Sequence, residues 1–330
     1  MNNYTFPFDT VRWGIIGCGD VTEVKSGPAL SLVKDSSLVA VMRRNGEKAR
    51  DYAKRHKVPH WFDDADTLIN HPEVNAIYVA TPPNTHAEYT IKAAQAGKPV
   101  YVEKPMARTH AECQAMVEAC RKAHVPLYVA YYRRCLPNFL KVKDLIDQGA
   151  IGQVRIVQIQ LFQSRQPEII RGLDQNWRVD PEIAGGGYFY DLASHQLDYL
   201  DFILGPITKI KGIKTNQAGD YEAEDVVSAS FSTQSGVVGS GIWSFAVADS
   251  ATREETIIIG DKGEIRFSYF TATDVTLING EGTKTFSFEM PKHIQQPLIQ
   301  TVVDDLLGRG NCPNTGETGA RTNWVMEQIL

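Results

Sequence analysis

Two domains of different class are predicted: an α/β domain with a doubly wound parallel sheet over residues 1–130, and an α+β domain over residues 131–330. Three observations predict them. The chain has 330 residues, more than a single hydrophobic core usually serves. Up to Ala130, short β-branched runs alternate with helical patterns, the arrangement of βαβ units. Beyond Ala130 the rhythm changes to strands in close succession, two of them joined by the hairpin signal Gly260-Asp261-Lys262-Gly263.

In the first part, Val11 to Ile16, Leu38 to Met42, Ala76 to Ala80, Val100 to Glu103 and Leu127 to Ala130 are apolar on consecutive residues, as strands covered on both faces must be. Between them, Glu47 to Arg55, His86 to Ala96 and His110 to Ala123 carry apolar or alanine positions at helical spacing. Gly97 supplies a stop after the second of these helices. In the second part a helix over Leu136 to Gln148 leads into a strand over Val154 to Phe162. Strands follow at Val226 to Ser232, Val237 to Phe245, Glu255 to Ile259 and Glu264 to Tyr269, with weaker runs to Phe288. Two closing helices are predicted at about 293–308 and 316–329.

Composition narrows the class of function. Hydrophobic residues make up 43 % and charged residues 22 % of the chain, without an apolar run near eighteen residues, so a water-soluble protein is expected and not a membrane one. The net charge of −5 is spread without a basic stripe, which argues against a nucleic-acid partner. The start MNNYTFPFDT has neither a basic nor an apolar leader region, and a cytoplasmic location is expected. The cysteines (Cys18, Cys113, Cys120, Cys135, Cys312) are odd in number and scattered, so neither a disulfide framework nor a metal site is expected.

The chemistry begins after the first strand, at Gly17-Cys18-Gly19-Asp20-Val21-Thr22. Gly17 permits a tight turn and Gly19 lets backbone approach a pyrophosphate, with Asp20 and Val21 opening the next helix. This is a Rossmann dinucleotide fingerprint with Thr22 in place of its third glycine. At the end of the second strand, where an NAD enzyme places a carboxylate, stand Arg43 and Arg44. Two guanidiniums suit a 2′-phosphate, so NADP is favoured over NAD; two solvated surface arginines are the alternative. Further strand ends carry Thr81-Pro82-Pro83-Asn84-Thr85-His86 and Glu103-Lys104-Pro105, where open α/β sheets bind ligands. Thr81, Pro82, Asn84, His86, Glu103 and Lys104 are therefore candidate cofactor contacts, and Arg134, Trp177 and Arg178 complete the set.

A last segment, Gly185-Gly186-Gly187 followed by a helix, carries Asp191, His195 and Asp198 at i, i+4 and i+7, on one face. By itself such a stripe also suits a solvated surface. The chain nevertheless resembles the Gfo/Idh/MocA family (glucose-fructose oxidoreductase, inositol dehydrogenase and their relatives) over residues 11 to 330. The marks are ATPPNTH at 80–86, AGKPVYVEKP at 96–105, RRCLP at 133–137, GAIG at 149–152 and GGGYFYDLASHQLD at 185–198, besides the glycine turn. The resemblance implies a Rossmann domain followed by a domain with a large, open, mainly antiparallel sheet. It also implies a catalytic group that falls on Lys104, Asp191 and His195. Hydride transfer to a ketone builds negative charge on oxygen, which a cationic donor such as Lys104 stabilises while a group titrating near neutrality, His195, exchanges the proton and Asp191 orients. The expected reaction is hydride transfer between NADP or NAD and a sugar, polyol or related carbonyl or hydroxyl compound. An NAD-dependent glycosidase and a catalytically silent NAD(P)-binding sensor remain the alternatives on this fold.

The substrate pocket is expected to involve the loop Gln163 to Gln175, where Arg165 and Arg171, with Arg178, could meet polar groups. Val237, Val238, Ile242, Trp243 and Phe245 offer more apolar surface than one layer of helices would bury, so a homodimer or homotetramer through the C-terminal sheet is expected.

Overall fold

The computed structural model describes residue 6, residues 8–165 and residues 176–329; Arg171 and Gln175 lie outside them. The chain forms two compact units, Met1–Tyr132 with Pro291–Asn323, and Arg133–Met290 with Trp324–Leu330. By their contacts the units part between Tyr132 and Arg133. Residues 291–323, assigned from the sequence to the second domain, pack with the first.

The first unit holds six parallel strands: β1 (Val11–Ile16), β2 (Ser36–Met42), β3 (His60–Phe62), β4 (Ala76–Val79), β5 (Val100–Val102) and β6 (Leu127–Val129). Their order β3-β2-β1-β4-β5-β6 reverses direction between β1 and β4, the switch point at which doubly wound sheets bind their ligands. Every residue of β4, β5 and β6 is buried, since helices cover both faces. Caps fix the helix starts: the Asn45 side chain accepts from Lys48 N before helix Gly46–His56, and Thr109 accepts from Glu112 N before helix His110–Lys122. The returning segment carries helix Gln296–Leu306 and closes the sheet's β6 edge. There Val129 N donates to Asn314 O at 3.2 Å and Tyr128 forms an antiparallel bridge with Thr315. Asn314 Nδ2 donates to Tyr131 O at 2.8 Å, and Asn323 Nδ2 to Ala107 O at 2.7 Å.

The second unit is built on eight strands: β7 (Val154–Ser164), β8 (Ile207–Thr215), β9 (Val226–Thr233), β10 (Val238–Val247), β11 (Arg253–Gly260), β12 (Gly263–Phe267), β13 (Val275–Asn279) and β14 (Gly282–Phe286). They lie in the order β14-β13-β12-β11-β7-β10-β9-β8. All neighbours pair antiparallel except β10 and β7, which pair parallel, giving the large, mainly antiparallel sheet expected. One face carries the buried Val157, Ile159, Leu161 and Trp243, with Trp243 Nε1 donating to Gln196 Oε1 of helix Ser194–Leu204 at 2.6 Å, while helix Pro137–Asp147 packs through Phe139 on Phe267. Strand alternation corrects the surplus of apolar surface read from the sequence: Val237, Trp243 and Phe245 are buried within this unit. Ile156, Ile213, Val238 and Ile242 remain 44–73 % exposed. No helix among the described residues is long and apolar enough to cross a membrane.

Candidate active site

The glycine turn at the end of β1 is a close-packed corner. Gly17 has φ +93°, and a Cβ there would lie 2.6 Å from Thr81 Cγ2, so only glycine fits between the β1 and β4 ends. Gly17 N and Cys18 N both donate to Met42 O, at 2.9 and 3.1 Å, which ties the turn to the end of β2. At Gly19 the situation is the opposite: a Cβ would meet nothing nearer than 3.9 Å, so the backbone there faces open space, as a pyrophosphate requires. Thr22 is fully buried, and its hydroxyl donates to Gly19 O at 2.7 Å. In the place of the third glycine it therefore closes the turn. Asp20 is exposed and Val21 half-buried at the start of the short helix Asp20–Val24. Arg43 Nη1 reaches Cys18 O at 3.4 Å, which puts this guanidinium on the glycine turn, and Arg44 beside it is exposed. These features fit a dinucleotide.

The two other strand ends are locked to each other. His86 is 1 % exposed, with Nε2 at 2.7 Å from Thr81 O and Nδ1 at 3.1 and 3.2 Å from Pro105 O and Met106 O. Burial outweighs the pull of these carbonyls and lowers its pKa. His86 thus braces the Thr81 and Lys104 loops from beneath, while Pro82 is partly exposed and Asn84 exposed. Glu103, expected at the cofactor, is instead the hub of a buried network. Its Oε1 accepts from Tyr78 OH at 2.5 Å and Gln295 Nε2 at 2.6 Å, and its Oε2 from Lys104 N at 3.2 Å. Gln295 in turn accepts from Tyr101 OH at 2.8 Å. Lys104 leaves this anchored backbone partly exposed.

In the second unit, Asp191, His195 and Asp198 are 9 %, 3 % and 1 % exposed, so the solvated-stripe alternative fails. The helical spacing read from the sequence is also modified. Phe189–Ala193 is a π-turn leading into helix Ser194–Leu204, so Asp191 stands on a wider turn than His195 and Asp198. Asp191 Oδ2 accepts from Arg178 Nε at 3.2 Å, and the Arg178 guanidinium lies 4.3 Å from the centroid of the Trp177 ring. Asp198 is taken up by Arg134, whose Nε and Nη2 donate to its two oxygens at 2.9 and 2.6 Å. Arg134 is 3 % exposed and its guanidinium also lies over Phe202, so this residue is a core staple of the second unit. Arg165 pairs with Asp220. Among the described residues no cluster of three or more His, Cys, Asp or Glu is placed to hold a metal.

Residues 11–131 match the model of the oxidoreductase family with an NAD-binding Rossmann fold, and residues 139–266 match the GFO/IDH/MocA C-terminal domain. The chain belongs to the Gfo/Idh/MocA oxidoreductase family. Oxidoreductase P35 of Formosa agariphila is 41 % identical to this family member over 319 residues, 96 % of this chain and 97 % of its own. The 1,5-anhydro-D-fructose reductase of Ensifer adhaerens is 27 % identical over 93 % of this chain and 92 % of its own. The solved levoglucosan dehydrogenase in complex with NADH and levoglucosan superposes with a TM-score of 0.85 at 21 % identity, covering 97 % of this chain and 96 % of that one. This Gfo/Idh/MocA protein is therefore an oxidoreductase with a nicotinamide cofactor and sugar-converting relatives.

Two features of the site escaped the sequence. Gln295, which supports the Glu103–Lys104 backbone, lies 192 residues from Glu103 and carries no motif around it. Phe270 stands with its ring centroid 6.2 Å from that of His195, in a run that reads only as the end of a strand.

Proposed function

We propose that the protein is an NADP-preferring dehydrogenase or reductase acting on a CH–OH or C=O group of a sugar, polyol or related compound. The observation that carries this reading is the buried Asp191–His195 arrangement, in which a histidine and an Arg178-paired carboxylate are withheld from bulk water inside a sheet-and-helix core. Charged and titratable groups are not kept there without a task or a partner. The nicotinamide, when bound, supplies or accepts the hydride. Lys104 donates a hydrogen bond to the substrate oxygen as it gains charge, His195 exchanges the proton, and Asp191 orients substrate hydroxyl or imidazole. Residues 1–130 serve the cofactor through Gly17, Gly19, Thr81, Pro82 and Asn84, and the sheet unit serves substrate and assembly. Assaying sugars, polyols and α-dicarbonyls with both cofactors, by absorbance of the reduced nicotinamide, tests the reading. Turnover of none of them, or cleavage of a glycoside without net redox, overturns it.

Cofactor choice is testable separately. Arg43 and Arg44 occupy the place of the 2′-hydroxyl-binding carboxylate, so NADPH is expected to bind at least several-fold more tightly than NADH. Arg43→Ala combined with Arg44→Ala should shrink that gap. Equal affinity in the unmodified protein, measured by fluorescence titration, would remove the 2′-phosphate argument.

Assembly follows from Ile156, Val238 and Ile242 on neighbouring strands β7 and β10, which stay 44 %, 56 % and 44 % exposed in the single chain. Apolar residues grouped on one sheet face suit a second copy of the chain. Analytical ultracentrifugation is expected to show a dimer or tetramer. A stable monomer at micromolar concentration decides against it.

A further inference from the structure

Two hydrogen-bonded routes from the glycine-turn helix meet at the Glu103 carboxylate. One runs through Ser26 and Tyr78. The Tyr78 hydroxyl donates to Glu103 Oε1 at 2.5 Å and lies 2.9 Å from Ser26 Oγ, which donates in turn to Val21 O of helix Asp20–Val24 at 3.3 Å. Burial and the facing Glu103 charge raise the Tyr78 pKa, so the phenol keeps its proton. The other route runs through the returning segment. His293 Nδ1 lies 2.6 Å from Val24 O and Gln295 N donates to Lys25 O at 3.1 Å, while Gln295 Nε2 donates to Glu103 Oε1 at 2.6 Å.

The Gln295 amide has one orientation open to it. A carboxylate only accepts, so the NH2 group must face Glu103, and Tyr101 OH then donates to Gln295 Oε1 at 2.8 Å. Gln295 is 1 % exposed, so both side-chain bonds are made away from bulk water, where a bond to a carboxylate is strong and directional. With Oε1 of Glu103 taken by two donors, Oε2 is left to Lys104 N at 3.2 Å. Gln295 thus fixes the carboxylate on the near side of Lys104, and His86 holds Pro105 O and Met106 O on the far side.

We infer that Gln295 is a positioning residue that sets the place of Lys104 through Glu103 and ties it to the glycine turn. Its bearing on turnover rests on the reading that Lys104 meets the reacting oxygen. Without the Gln295 N–H, Glu103 keeps one donor on Oε1, its carboxylate can turn away, and the hold on Lys104 N weakens. A misaimed cation stabilises charge on the substrate oxygen less well, which lowers kcat. His86 still holds the far side of the loop, so the loss is partial. The glycine turn is untouched by the change, so cofactor affinity holds.

The test uses the full chain saturated with NADPH and compares it with Gln295→Met, which keeps the volume without the hydrogen bonds. Thermal melts establish folding; if Gln295→Met does not fold, Gln295→Asn, whose amide is one carbon too short to reach Glu103, takes its place with the same expectations. Amide hydrogen exchange resolved to single residues by mass spectrometry should show protection at Lys104 falling about ten-fold, with β1 and β2 unchanged. On the compound of the sugar, polyol and α-dicarbonyl panel that turns over fastest, kcat should fall roughly ten-fold while NADPH affinity stays within about two-fold. In a Lys104→Ala background the same change should cost nothing further, because no cation is left to position. Unchanged protection at Lys104, protection lost equally along β1 and β2, or an undiminished kcat loss in the Lys104→Ala background overturns the inference. If Lys104→Ala turns over like the unmodified protein, or no panel compound is turned over, the catalytic reading of Lys104 falls, while exchange at its amide still decides on Gln295.

Discussion

Replacing Lys104 or His195 with alanine is expected to lower kcat by roughly 10²-fold or more, with cofactor affinity little changed. The separation follows from their positions. Lys104 projects from a backbone anchored by Glu103, and His195 is buried on helix Ser194–Leu204, whereas the function proposed above gives the glycine turn and Arg43 a remote part of the cofactor. Asp191→Ala should cost less if the carboxylate only orients. Because Lys104 and His195 would serve one proton, the double variant should fall well short of the product of the single effects. Steady-state kinetics beside cofactor titration reads all of this. A single variant with unmodified kcat on the true substrate removes that residue from the mechanism.

The second large effect concerns stability. Arg134 and Asp198 have side-chain exposures of 2 % and 1 % and are joined by two hydrogen bonds. Removing one partner takes from the other the opposite charge it is paired with in the core, a change that costs about 3–5 kcal/mol for buried pairs. Asp198→Ala and Arg134→Ala should therefore each lower the denaturation midpoint of the second unit strongly. Replacing both by apolar residues of similar volume should recover much of the loss, since it is the stranded charge that is expensive. Urea titration followed by tryptophan fluorescence would use Trp243, buried in this unit, as its reporter. A loss below about 1 kcal/mol in the single variants would mean that water reaches the pair.

Much of this was legible in advance, for identifiable reasons. Strands β4, β5 and β6, and the greater part of β1 and β2, are apolar on consecutive residues because both faces are covered, and that pattern survives in any single sequence. β3 was missed because it is three residues long and holds a histidine and a tryptophan that are not fully buried. β8 was missed because it buries little beyond Ile207 and Ile210, with lysines along its open side. The π-turn at Phe189–Ala193 leaves no mark in composition, since it is a shift of hydrogen bonding. Arg134 reads as a candidate cofactor contact until Asp198, 64 residues away, is folded against it. Glu103 and His86 stand at strand ends where ligands bind, yet their side chains turn inward. Sequence position alone does not show that direction.

The return of residues 291–323 to the first unit has a bearing on how the protein is made. Edge strand β6 finds its bridging partner at Asn314 and Thr315, and Glu103 finds the Gln295 amide, only after the whole eight-stranded sheet has been translated. At about 5–20 residues per second, a nascent chain waits on the order of ten seconds or longer between emergence of Val129 and of Asn314. Throughout that interval the parallel sheet has an unsealed edge, open to wrong pairing with other strands. Completion of the nucleotide-binding half thus waits on the synthesis of residues 291–323. Its yield in a cell should depend on the chaperones that shield that edge and on any pause in elongation before residue 291.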